Sequence, residues 1–137
     1  EKKRHIKVAG VLFFVWTAVI LYGSLSPGDD LPPMGWLARI PHFDKIVHFC
    51  FYLGQVLLLL LWLQPSRGNR IWIALCAIIF SGTIELLQGE YFDRSADWLD
   101  FAANSAGALT GIPLARLAER LIFKKDSGNE TPPNNDN

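Results

Sequence analysis

Hydrophobic and polar positions segregate along this chain into long blocks. Charged residues all but vanish over Val8 to Leu25, Ile46 to Leu63, Ile71 to Leu87 and Phe101 to Leu117, each about the length needed to cross a hydrocarbon core. Short polar joints separate them. Four helices apolar on every side would leave a soluble protein of this size no amphipathic shell to cover them, so lipid is the cover. The pattern predicts an all-α fold, an integral membrane bundle of four transmembrane helices, forming one domain over residues 1–125. Residues 126–137 are polar and contain Pro132 and Pro133, so they are expected to form a disordered cytoplasmic tail.

The joints carry their own signals. Ser26 to Phe43 holds Pro27, Pro32, Pro33 and Pro41 and cannot be one helix, although Met34 to Ile40 could form a short surface turn capping the bundle. Gln64 to Arg70, broken by Pro65 and Gly68, reads as a tight hairpin that makes the second and third spans antiparallel neighbours. In the fourth span Ala103, Gly107 and Gly111 recur every four residues, a spacing that lets two backbones approach closely inside lipid. That span is expected to be the packing centre, or alternatively the seam of a homo-oligomer.

Charge orients the spans. Ten of the 13 Lys and Arg fall in the amino-terminal arm, the Gln64 to Arg70 hairpin and the carboxyl end, whereas Arg39, Lys45 and Arg94 occupy the alternate joints. The positive-inside rule then puts both termini in the cytoplasm. The first apolar run is longer than that of a signal peptide and no Ala-x-Ala-like site follows it, so it is read as an anchor. Trp62 and Trp72 on one side, and Trp36, Tyr91 and Trp98 on the other, suit interfacial belts. A formal net charge of zero excludes a nucleic-acid role, which needs a basic face. Cys50 and Cys76 are expected at depths roughly 13 Å apart, beyond disulfide reach, and are read as small apolar fillers.

Ionisable groups at membrane depth cost about 2.5 to 3.5 kcal/mol each at a helix centre, so each needs a reason. Here they gather at one end. Asp44, Lys45 and His48 open the second span, Glu85 and Gln88 close the third, and Asp97, Asp100 and Asn104 open the fourth, with Arg94 in the last joint. Asp44 with His48, Glu85 with Gln88, and Asp100 with Asn104 are i, i+4 or i, i+3 pairs that share a face, with Gln55 extending the first stripe and Ser81 the second. The three stripes are expected to converge within the bundle's outer half. A histidine beside carboxylates could bind a divalent cation or shuttle a proton. Lys45 and Arg94 could instead clamp a phosphate. The bland alternative is that these groups pair with one another and hold the helices in register.

Asp44-Lys45-x-x-His48-Phe49, Glu85-x-x-Gln88 and Arg94-x-x-Asp97-x-x-Asp100-x-x-x-Asn104-x-x-Gly107, in that order on successive helices, resemble the VanZ-like membrane protein family. The likeness covers roughly Leu21 to Leu117. It implies a bacterial inner-membrane protein of the cell envelope and a relation to the accessory protein associated with teicoplanin-type glycopeptide resistance, but it supplies no reaction. The first reading is an outward pocket, formed by the nine polar residues of these motifs (Asp44, Lys45, His48, Glu85, Gln88, Arg94, Asp97, Asp100 and Asn104), that binds an anionic envelope component such as a lipid phosphate or wall precursor, with Lys45 and Arg94 as anion contacts and membrane lipids as surroundings. A second is a small intramembrane lipid-modifying enzyme, with His48 as general base and Glu85, Asp97 and Asp100 as metal ligands or acid/base groups. A third is a structural subunit with a helix-ordering polar cluster. No Gly-x-Ser-x-Gly, His-Glu-x-x-His or Walker pattern is present, which removes the commonest hydrolase and ATPase signatures.

Overall fold

Each apolar block lies inside a helix somewhat longer than itself, since the helix runs on into the flanking polar residues until a backbone signal stops it. The computed structural model describes residues 1–26, 35–91 and 97–124. It contains α1 (Lys2–Leu25), a 3-10 helix (Gly35–Arg39), α2 (Phe43–Leu63), α3 (Asn69–Tyr91) and α4 (Trp98–Lys124). The Pro27, Pro32 and Pro33 part of the first joint, Arg94, and the tail over 126–137 lie outside the described residues. Left-handed residues bound α2: His42 at φ 56° precedes it, and Gln64 at φ 49° ends it with its N–H on the Leu60 carbonyl at 3.0 Å, the latter a common way for a helix to end.

Three of the four helices, α1, α2 and α3, are long and apolar enough to cross a membrane. The expectation of four such helices is met by α4 in length, at 27 residues, but not in hydropathy. Its Ala and Gly residues and Asn104 carry too little apolar surface. Outward-facing apolar side chains are abundant elsewhere, with Phe14, Ile79 and Leu86 at 61%, 70% and 72% exposure, a surface that water would not tolerate over such an area.

The small residues of α4 are used within the chain. A Cβ on Gly107 would overlap the Phe49 carbonyl oxygen, and one on Gly111 would lie 2.9 Å from Val56 Cβ, so α4 sits backbone to backbone against α2. The register of these contacts makes α2 and α4 parallel. Packing between α2 and α4 is the most extensive in the protein, and that between α2 and α3, neighbours in sequence, is slight. The hairpin thus returns the chain antiparallel without making α3 the main partner of α2. On its other side α2 meets α1. Trp16 Nε1 donates to the Phe51 carbonyl at 2.8 Å with its indole over Gly54, and Trp62 covers Gly10. Thr17 and Gln55 exchange hydrogen bonds at 3.0 and 3.2 Å, so Gln55 serves the α1–α2 contact and does not extend the polar stripe. The buried core runs through Ile20, Tyr52, Val56, Leu60, Ala74, Ala77, Ala108 and Ala115. Cys50 and Cys76 are free and exposed, so neither fills the core as expected. Both face the outside of the helix cluster.

Candidate functional site

Helical period sets the site. His48 follows Asp44 by one turn on α2, Asn104 follows Asp100 by one turn on α4, and Glu85 lies near the end of antiparallel α3, so three faces meet at one end of the molecule. Lys45 Nζ reaches Asp44 Oδ2 at 2.8 Å, Asp97 Oδ2 at 2.5 Å and Asp100 Oδ1 at 2.6 Å. Behind this knot, His48 Nδ1 lies 3.2 Å from Asn104 Oδ1 and 3.8 Å from Glu85 Oε1, and His48 Nε2 lies 3.7 Å from Asp100 Oδ2. Asn104 Nδ2 donates to Glu85 Oε1 at 3.4 Å. The predicted convergence of stripes from α2, α3 and α4 is therefore present, and His48, Glu85 and Asn104 are all buried there.

The hydrogen bonds assign the imidazole. A carboxylate only accepts, so the Asn104 amide nitrogen faces Glu85 and its oxygen faces His48. Nδ1 then donates to the Asn104 oxygen, and Nε2 faces Asp100 Oδ2 at 3.7 Å. One ligand atom each from His48, Glu85 and Asp100 can be chosen so that all lie within 4.8 Å of one another. A divalent ion about 2.0 to 2.4 Å from each would need only a small inward adjustment.

Two members of the predicted set behave differently. Lys45, expected as an anion contact, is paired with three carboxylates of the chain itself. The cluster gathers four carboxylates, Asp44, Glu85, Asp97 and Asp100, and a single fixed cation among the described residues. The Lys45 ammonium beside Asp97 holds that carboxyl below the usual carboxylate range. Its share of stability is present at neutral pH and is lost as pH falls through the lowered value. Gln88, also buried, turns away from the cluster and donates from Nε2 to the Ser24 carbonyl at 2.5 Å. That carbonyl is one of the last four of α1, which have no partner inside their own helix. Gln88→Ala is expected to cost about 1–3 kcal/mol through the stranded carbonyl, as a lowered unfolding temperature, while cation binding at His48 is unchanged.

Sequence reasoning passed over Tyr52. One turn inward from His48, it is 1% exposed, its hydroxyl has no hydrogen-bond partner among the described residues, and it lies within electrostatic range of Glu85. Its i+4 spacing from His48 was the available signal, hidden because a tyrosine in an apolar run reads as core.

The sequence pattern of the VanZ/LLP1 family matches residues 8–119, a span that includes every cluster residue described above. The chain belongs to the VanZ/LLP1 family. The match covers all but the first seven and last 18 residues of this VanZ/LLP1 protein. Its motif residues Asp44, Lys45, His48, Glu85, Asp97, Asp100 and Asn104 stand together at one end of the helices, and Gln88 stands apart. Neither a curated protein nor a solved structure matches the chain.

Proposed function

We propose that this VanZ/LLP1 protein crosses the bacterial inner membrane with all four helices, both termini cytoplasmic, and holds a divalent cation among His48, Glu85 and Asp100 on the outward side. Through that cation it engages the phosphate of an anionic envelope component, a lipid or wall precursor. The observation that carries this reading is the set of three ligand atoms on three helices within 4.8 Å. Charge explains why a cation comes first. Among the described residues the cluster holds four carboxylates and a single fixed cation, Lys45, a balance that disfavours a bare phosphate, whereas a bound divalent ion becomes the largest local charge and inverts that preference. The Nδ1 bond to Asn104 would orient His48 as outer partners orient metal-bound histidines.

Tyr52 favours a second reading, a lipid-modifying enzyme using the same cation, because its hydroxyl, without a hydrogen-bond partner among the described residues, could donate a proton to a substrate oxygen. Cation-dependent turnover of a phosphate-containing lipid that is lost in Tyr52→Phe would select that reading.

The site is tested by thermal unfolding of purified protein with Mn²⁺, Zn²⁺ or Mg²⁺ and then with excess chelator. A cation at a hundredfold excess over its Kd should stabilise by about 2.7 kcal/mol, chelator should reverse the gain, and His48→Ala and Glu85→Gln should each abolish it. Equal shifts in wild type and both variants would remove the site.

A further inference from the structure

The far end of the helices carries a second built site. There α3 starts at Asn69 and α4 runs towards Lys124, and a cleft of about 860 Å³ opens between Arg67, Arg70, Arg116 and Arg120, with Glu119 the only acid lining it among the described residues and Leu117 and Leu121 on its wall. Arg70 is 8% exposed. Its Nη2 donates to both oxygens of Glu119 at 2.9 and 2.8 Å. Its Nε and Nη1 are buried without a hydrogen-bond partner among the described residues.

This arrangement is under-satisfied in a specific sense. Buried donors without partners cost free energy, more so on a charged group. A cation in the first turn of α3 also opposes the positive end of that helix. One carboxylate cannot balance four guanidiniums. An anion in the cleft would relieve all three conditions, and a planar guanidinium with donors to spare favours phosphate geometry. The apolar wall narrows the choice, since Leu117 and Leu121 are 52% and 69% exposed and suit an acyl chain. We propose that this cleft binds the phosphate headgroup of an anionic membrane phospholipid, with Arg116 and Arg120 drawing it in and Arg70 at its inner wall.

The test uses the full chain in neutral detergent, with native mass spectrometry reading retention of phosphatidylglycerol, phosphatidylcholine and inorganic phosphate. Phosphatidylglycerol should be retained in preference to phosphatidylcholine. Arg116→Gln with Arg120→Gln should weaken its binding by about 25-fold, roughly fivefold per arginine. Both side chains are exposed, so the fold should survive. Lys3→Gln with Arg4→Gln, exposed basic residues of the amino-terminal arm at the same end, should change nothing. An equal loss in that control would replace the cleft with diffuse surface charge and overturn the proposal. Inorganic phosphate binding as well as phosphatidylglycerol, with the same arginine dependence, would overturn the lipid assignment. Arg70→Met with Glu119→Leu removes the buried pair without stranding either charge, and full retention of phosphatidylglycerol by that folded variant would overturn the role of Arg70.

Discussion

Gly107→Val should leave no folded protein to purify, and Gly107→Ala should already be severely damaged. A single Cβ there overlaps the Phe49 carbonyl oxygen, a backbone atom that moves only if α2 and α4 separate. Overpacking in a core ordinarily costs about 1–3 kcal/mol, and this contact belongs at or above the top of that range because it wedges apart the largest helix interface. Gly68→Ala is the control. Nothing lies within 4 Å of a Cβ at that position, so its unfolding temperature should match wild type. Similar stability for Gly107→Ala and Gly68→Ala would disprove the close α2–α4 packing.

Lys45→Met should lower stability and raise cation affinity together. Removing the ammonium strands Asp44, Asp97 and Asp100, which now face one another without their shared cation. Breaking a fully buried pair costs about 3–5 kcal/mol, and about 2 kcal/mol is expected here because solvent reaches Asp44 and Asp97. The same loss deepens the negative potential at His48, Glu85 and Asp100, so divalent binding should tighten about tenfold. Adding Asp100→Asn should restore stability and cancel that gain. Were Lys45 an anion contact instead, Lys45→Met would weaken ligand binding whether or not a cation was present. Titration calorimetry with Mn²⁺, alongside thermal unfolding, separates the two.

The parts legible in the sequence were those whose periodicity and chemistry coincide. Asp44 to His48 and Asp100 to Asn104 are single turns, so their faces, and the meeting with Glu85, followed from spacing alone. Gly107 and Gly111 likewise announced a close approach, although spacing could not say that α2 was the partner. Other features depend on distant pairings. Gln88 shares the Glu85 face but reaches a carbonyl of α1 64 residues away, and a backbone acceptor leaves no trace in a side-chain pattern. Arg70 was counted among the charges that set topology, and its partner Glu119, 49 residues away, leaves no local signal in the sequence pattern. Tyr52 looked like core because nothing local reports whether a hydroxyl finds a partner. The shortfall of α4 in hydropathy has a related cause, since the small residues that let it pack against α2 leave it little apolar surface.

The central claim, a divalent cation held by His48, Glu85 and Asp100, is tested most directly by magnetic resonance on Mn²⁺ bound to the purified protein. The account predicts one tightly held ion per chain with a single nitrogen hyperfine coupling, lost in His48→Ala and retained in His5→Ala and His42→Ala. An absence of stoichiometric Mn²⁺ after removal of excess metal, or a nitrogen coupling that survives His48→Ala, would contradict it.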